Sequence, residues 1–138
     1  MNPNKIAIIL RGVSGSGKSS FAEYLRRSSG FAWICTADDF FSKTGDYLFE
    51  AEKLGEAHEY CRDKFEKGLK MTYSPVICAN TNATETECKV YFDLAKKYGY
   101  EVFSLVVENR HGNKNLHNVP EHVLKKQEAR LKNSLKLI

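Results

Sequence analysis

Residues 12 to 19 read Gly-Val-Ser-Gly-Ser-Gly-Lys-Ser, between an apolar run and an amphipathic pattern. No other stretch restricts the fold so strongly. Gly12, Gly15 and Gly17 let the backbone turn tightly, so the segment can join a strand directly to a helix. The run before it, Lys5 to Arg11, is rich in Ile and Leu and predicts a strand. The pattern after it predicts a helix from about Gly17 to Ser28 that buries Phe21, Ala22 and Leu25.

The same alternation continues along the chain. A second strand is expected at Phe31 to Thr36, then an irregular segment, Ala37 to Phe49, with a turn at Thr44-Gly45-Asp46. A helix from about Ala51 to Lys70 carries the stripe Leu54, Ala57, Cys61, Phe65 and Leu69. The third strand is Pro75 to Ala79. Thr84-x-x-Glu87 is a capping-box signature for a helix with Tyr91, Leu94, Ala95 and Tyr98 on one face, ended by Gly99. The fourth strand is Tyr100 to Val107, followed by a polar loop, Glu108 to Asn118. Pro120 suits the first turn of a last helix, which would bury Val123, Leu124, Leu131 and Leu135. The expected class is α/β: four parallel strands with helices on both faces. The loops after the strands then share one edge of the sheet, and every segment with chemical potential falls there.

The glycine turn fits G-x-x-x-x-G-K-[ST] at every fixed position. Its backbone N–H groups and the positive end of the following helix suit phosphate oxygens. The expected nucleotide-binding set is Gly12, Val13, Ser14, Gly15, Ser16, Gly17, Lys18, Ser19 and Ser20. Lys18 would reach the β- and γ-phosphates of ATP or GTP, and the Ser19 hydroxyl would ligate Mg²⁺. The loop alone does not separate kinases from NTPases or switches.

Asp38 and Asp39 follow the second strand. Phosphoryl transfer to a hydroxyl needs a carboxylate to accept a proton and orient the nucleophile. Two adjacent carboxylates do not easily share that task, so one is expected to serve chemistry and the other position or capping. Arg110, His111 and Lys114 lie in the loop before the last helix, where a mobile lid could bring cations over a migrating phosphoryl group; a solvated basic loop would read the same. Metal binding by His111 and His117 has no Cys or acidic partners at ligand spacing to support it. Phe40, Phe41, Tyr47 and Phe49 could stack on bases or pack under the loop.

Apolar residues make up 42% of the 138 and charged residues 28%, as in an ordinary globular chain of one domain, 1–138. Apolar runs are too short to span a membrane, and no secretory leader opens the chain. Cys35, Cys61, Cys78 and Cys88 form no C-x-x-C pair, so reduced, buried thiols in a cytoplasmic protein are expected. From Arg110 onward seven cations face only Glu121 and Glu128, which a phosphate-rich partner or plain solvent would accommodate.

Taken together, the phosphate loop, Ala37-Asp38-Asp39-Phe40, Asn80-Thr81-Asn82, and Glu108-Asn109-Arg110-His111-Gly112 followed by Val119-Pro120-Glu121 resemble the polynucleotide-kinase-like P-loop kinases. That family includes the kinase domain of phage polynucleotide kinase. The resemblance covers about Ile6 to Leu135. It implies transfer of the ATP γ-phosphate, with Mg²⁺, to the 5′-hydroxyl of single-stranded RNA or DNA. It also implies Asp38 as general base, Lys18 and Ser19 as phosphate and magnesium contacts, Arg110 as a lid arginine and Lys114 near a second lid cation. A nucleoside-like small-molecule acceptor, or an ATP-binding module acting through a partner, are the alternatives. The chain departs from the family at Asn80, where Asp is common, at Ala79 and Asn80, where acidic support for Mg²⁺ often stands, and at Phe41, where a cation can hold substrate phosphate. The phosphatase, ligase or phosphodiesterase domains often joined to such kinases do not occur in this sequence, and a partner protein could supply phosphatase or ligase activity.

Overall fold

The computed structural model describes residues 4–43, 45, 47–110 and 119–137. The chain runs β1 (Ile6–Arg11), α1 (Lys18–Ser29), β2 (Trp33–Cys35), α2 (Asp38–Ser42), a 3₁₀ turn (Ala51–Lys53), α3 (Leu54–Lys70), β3 (Val76–Cys78), α4 (Glu85–Lys97), β4 (Glu101–Val106) and α5 (Glu121–Ser134). The four strands form one sheet in the order β2-β3-β1-β4, and every pairing is parallel. All strand C-termini therefore leave the same edge.

Period-two alternation distributes the strand residues between two cores. Ala7 and Ile9 of β1, Cys35, Val76 and Cys78 face α3 and α4, where they meet Ala57, Cys61, Phe65, Tyr91 and Ala95. Ile8, Leu10, Ile34 and Ile77 face the opposite way, onto Phe21, Ala22 and Leu25 of α1. Phe65 is fully buried and meets the Tyr91 ring edge-on, with centroids 5.0 Å apart; truncating such a side chain costs about 3–5 kcal/mol. The expected stripe of α3 is thus its core face, except that Leu54 stays exposed at the helix start.

Three expectations are corrected. The segment after β2 is not wholly irregular, because Asp38–Ser42 forms a short helix whose Phe41 seals the core at 6% exposure. Only two of its expected turn residues lie outside the described set, Thr44 and Asp46. The apolar composition of β4 suggested cover on both faces, yet Phe103, Leu105 and Val106 are exposed, because β4 is the edge strand. Leu135 falls beyond α5 and is also exposed, leaving Leu131 as the buried anchor of that helix.

The Thr84 cap forms, and the returning Glu87 bond reaches the N–H one residue before the cap. The Thr84 hydroxyl accepts from the Glu87 N–H at 3.2 Å, and Glu87 in turn accepts from the Ala83 N–H at 3.1 Å. All four cysteines are free and buried. Among the described residues no helix is long and apolar enough to cross a membrane.

Candidate functional site

A cleft of about 1010 Å³ opens over the strand C-termini. One end is the glycine turn. Gly15 and Gly17 hold φ of 83° and 104°, a left-handed backbone that other residues adopt with strain, and Gly17 caps α1. Ser14, Gly15, Gly17, Lys18, Ser19 and Ser20 line the cleft. Gly12, Val13 and Ser16 do not, for structural reasons. The Gly12 N–H is bound to the Thr81 carbonyl at 3.0 Å, and a Cβ there would lie 2.7 Å from the Val107 carbonyl oxygen. The Ser16 side chain is fully buried, and its N–H closes a turn onto the Val13 carbonyl.

Lys18 is 8% exposed and folds back on the turn, donating to the Gly12 and Val13 carbonyls at 2.9 Å each. Burial lowers its pKa from 10.5 to about 8, and the Asp38 charge pulls partly the other way. The Ser14 N–H is covered from outside by the Gln127 side-chain carbonyl of α5 at 2.9 Å. Helix α5 is itself tied beneath the turn. Buried Arg11 donates to the Asn82 carbonyl at 2.8 Å and to the Ser134 hydroxyl.

The structure divides the two carboxylates. Asp39 accepts from the Thr36 N–H at 3.3 Å and pairs with Lys64 at 3.0 Å, which ties α2 to β2 and α3. Asp38 turns into the cleft and accepts a hydrogen bond from the Tyr47 hydroxyl at 3.2 Å. Burial, then the Asp38 charge, pushes the Tyr47 phenol up to about 12, so it stays a donor. The aromatic cluster divides too: Phe41 is core, whereas Tyr47 and Phe49 line the cleft.

Asn80 explains its departure from an acidic residue. It is buried; its Oδ1 accepts from the Ala37 N–H at 2.7 Å, and its Nδ2 donates to the Tyr91 hydroxyl at 3.3 Å. A carboxylate here could only accept, so it would meet Tyr91 with the phenol donating and lose the amide donor. Asn82 is buried with φ of 45°, a conformation Asn tolerates better than most residues. Its Nδ2 donates to the Leu10 carbonyl at 2.8 Å, locking the end of β3 to β1.

Arg110 does not reach the cleft. It is 84% exposed and pairs with Glu108 at 2.6 Å. Lys114, His111 and His117 lie outside the described residues. Among the described residues, the cations that line the cleft are Lys18, Arg62 on α3 and Arg130 on α5, with His58 one turn before Arg62. Sequence reasoning missed Arg62, His58, Gln127 and Arg130. The spacing of four between Leu54, His58 and Arg62 was visible, but a cleft wall and a solvated helix face share that pattern. Three lysines of the basic C-terminal run are paired on the surface, Lys125 with Glu121, Lys132 with Glu128 and Lys136 with Glu85.

The residues present fit a nucleotide. Left-handed glycines, a helix N-terminus and a lysine at one end of a large cleft form a phosphate cradle. For Mg²⁺ the cleft offers the exposed Ser19 hydroxyl, and no group of three metal-ligating side chains occurs among the described residues. An ion there would take most of its ligands from phosphate and water.

Residues 8–133 match the family model described as AAA domain. Human NEDD4-binding protein 2 is 37% identical over 97 residues, which is 70% of this chain and 6% of that protein. The chain therefore spans a small fraction of that relative's length. Among solved structures, the Pnkp1/Rnl/Hen1 RNA repair complex aligns with TM-score 0.61 at 23% identity, covering all of this chain and 41% of that one. The Mycobacterium tuberculosis APS kinase CysC, in complex with AMPPNP and APS, aligns with TM-score 0.57 at 17% identity, covering 88% and 76%. At these identities the structural matches establish the fold. The chain belongs to the AAA domain family and carries the P-loop kinase fold.

Proposed function

We propose that this chain transfers the γ-phosphoryl group of ATP to a hydroxyl, and that the acceptor is the 5′-hydroxyl of an RNA or DNA strand. One observation carries the reading: a single cleft joins the phosphate turn to Asp38, while its neighbour Asp39 is committed to Thr36 and Lys64. Asp38 takes the proton of the acceptor hydroxyl. The freed oxygen attacks the γ-phosphorus, the bond from phosphorus to the β–γ bridging oxygen breaks, and ADP leaves. Lys18 exchanges its two loop carbonyls for phosphate oxygens. Mg²⁺, when bound, would neutralise phosphate charge, with Ser19 as its protein ligand. Arg110 and Lys114 are assigned the lid by resemblance, and Arg130 is a cation that lines the same cleft. The similarity in fold to the RNA repair complex supports this reading.

A small-molecule acceptor is the second reading, favoured by the size of the cleft, which suits two small substrates side by side. The test is transfer of label from γ-labelled ATP, with Mg²⁺, to single-stranded RNA and DNA bearing 5′-hydroxyls. Label on the 5′ end, lost in Lys18→Ala and Asp38→Ala proteins, supports the polynucleotide reading. ATP binding without end-labelling removes it, and leaves a small acceptor or a module that acts through a partner protein supplying phosphatase or ligase chemistry. Salt separates acceptors further, because strand binding weakens steeply as salt rises.

A further inference from the structure

The strand β4 is an unguarded edge. Its sequence, Glu-Val-Phe-Ser-Leu-Val, has no lysine or proline, and its register with β1 runs without a bulge. Those are the devices that keep exposed strands from pairing. Among the described residues no strand pairs with its outer side. Yet Phe103, Leu105 and Val106 are 44%, 39% and 39% exposed. Parallel sheets are normally covered on both faces. Here the core under α1 draws on β1, β2 and β3 and leaves Phe103 and Leu105 out.

The backbone sets how another strand can join. The Glu101 N–H donates to the Lys5 carbonyl at 2.9 Å, and the Val107 N–H to the Arg11 carbonyl at 2.7 Å. Odd-numbered residues of β4 therefore turn their backbone groups to β1, and Val102, Ser104 and Val106 turn theirs outward. Phe103 and Leu105 share the sheet face of their register partners Ile8 and Leu10, whereas Val102 packs on the α3 and α4 side.

This pattern is self-complementary. Place two copies antiparallel with a twofold axis at Ser104. Phe103 then lies opposite Leu105 of the other copy, and Val102 opposite Val106. The Phe–Leu pairs are the close, non-hydrogen-bonded kind, and the outward backbone groups meet each other. Glu101, the one charged residue of β4, lies opposite Val107 and meets no like charge. Shifting the axis to Phe103 would set Leu105 against Glu101; shifting it to Leu105 would set Val102 against Glu108.

We propose that β4 pairs with β4 of a second copy of this chain in that register, joining the two four-stranded sheets into one. Because the copies run antiparallel, their strand C-termini leave opposite edges and both clefts stay open. The inference is thus independent of the phosphoryl-transfer reading. Two six-residue strands and their flanks lie near the lower limit for a specific interface, about 1,000 Å² in total, so the dimer dissociates in the micromolar range.

The test is sedimentation equilibrium of the full 138-residue chain between about 1 and 500 µM, where the mass should climb from 15.7 kDa towards twice that value. Ser104→Pro removes an outward N–H and leaves the bonds to β1, and Leu105→Lys guards the edge with charge. Each should weaken dimerisation at least about tenfold and leave ATP binding within about threefold. Amide exchange read by NMR should slow at Val102, Ser104 and Val106 as concentration rises, and stay constant at Phe103 and Leu105. If Ser104→Pro does not fold, Leu105→Lys decides alone. A wild type still monomeric at the highest concentration overturns the proposal and leaves the edge to a strand of another protein. A dimer that the folded variants retain also overturns it, as does one whose new protection lies away from the three outward residues.

Discussion

The buried lysine makes nucleotide affinity a function of pH. In the ligand-free protein Lys18 sits behind the turn, and its pKa falls from 10.5 to about 8. A bound triphosphate surrounds the same ammonium with negative charge and keeps it protonated. Above pH 8 binding must therefore take up a proton, and the dissociation constant rises as one plus ten to the power of pH minus 8. Between pH 7.5 and 9.5 that is about 25-fold, or roughly 2 kcal/mol. In the cleft itself the phosphates are ionised, His58 is neutral because burial lowers its pKa, and Tyr47 stays protonated with its pKa pushed up to about 12. Calorimetry in two buffers of different ionisation enthalpy counts the protons, with about half a proton expected at pH 8 and about 0.9 at pH 9. Lys18→Met should bind more weakly and lose the dependence. A dissociation constant that changes less than about threefold over the window, with no proton uptake, would refute the account of Lys18. The same shift has a sign for stability. Between about pH 8 and 10.5 the unfolded chain holds a proton that the folded one has released, so the ligand-free protein gains stability as pH rises through that window.

Three further outcomes are expected. Asp38→Asn should lower transfer by about 10²- to 10⁴-fold with melting unchanged, whereas Asp39→Asn should keep transfer and lose roughly 1 kcal/mol, about 3–5 °C in Tm, since its pair with Lys64 is about a third exposed; the reverse pattern would exchange the roles of the two carboxylates. Gly12→Ala should weaken nucleotide binding, because its Cβ would stand 2.5 Å from Ser16 Oγ and 2.7 Å from the Val107 carbonyl oxygen. Gly68→Ala, with a Cβ 2.3 Å from Trp33 Cδ1, should cost about 1–3 kcal/mol and shift tryptophan fluorescence while binding persists. The thiols should react with a disulfide reagent only on unfolding, since all four are buried; burial pushes Cys35, Cys78 and Cys88 upward, whereas the hydrogen bond with Cys78 lowers Cys61, so Cys61 is protected by burial alone, and rapid labelling of the native protein would contradict that burial.

Much of this was legible before any coordinates. Local chemistry determines the strand, glycine turn and helix around Lys18, the helix cap at Thr84 and the stripe from Ala57 to Leu69, because each depends on residues within one or two turns of each other. The class of sheet followed from the alternation of elements, and the motifs pointed to the correct edge. The tertiary structure decided what depends on distant partners. Lys64, twenty-five residues away, commits Asp39 and so leaves Asp38 to the cleft. Ala37 and Tyr91 make Asn80 a bracket between strand and helix at a position where Asp is common in the family it resembles. The end position of β4 exposes a strand whose composition read as buried. Arg62 and Arg130 became cleft residues only when α3 and α5 closed over the same edge, since one sequence pattern serves both a solvated face and the wall of a site.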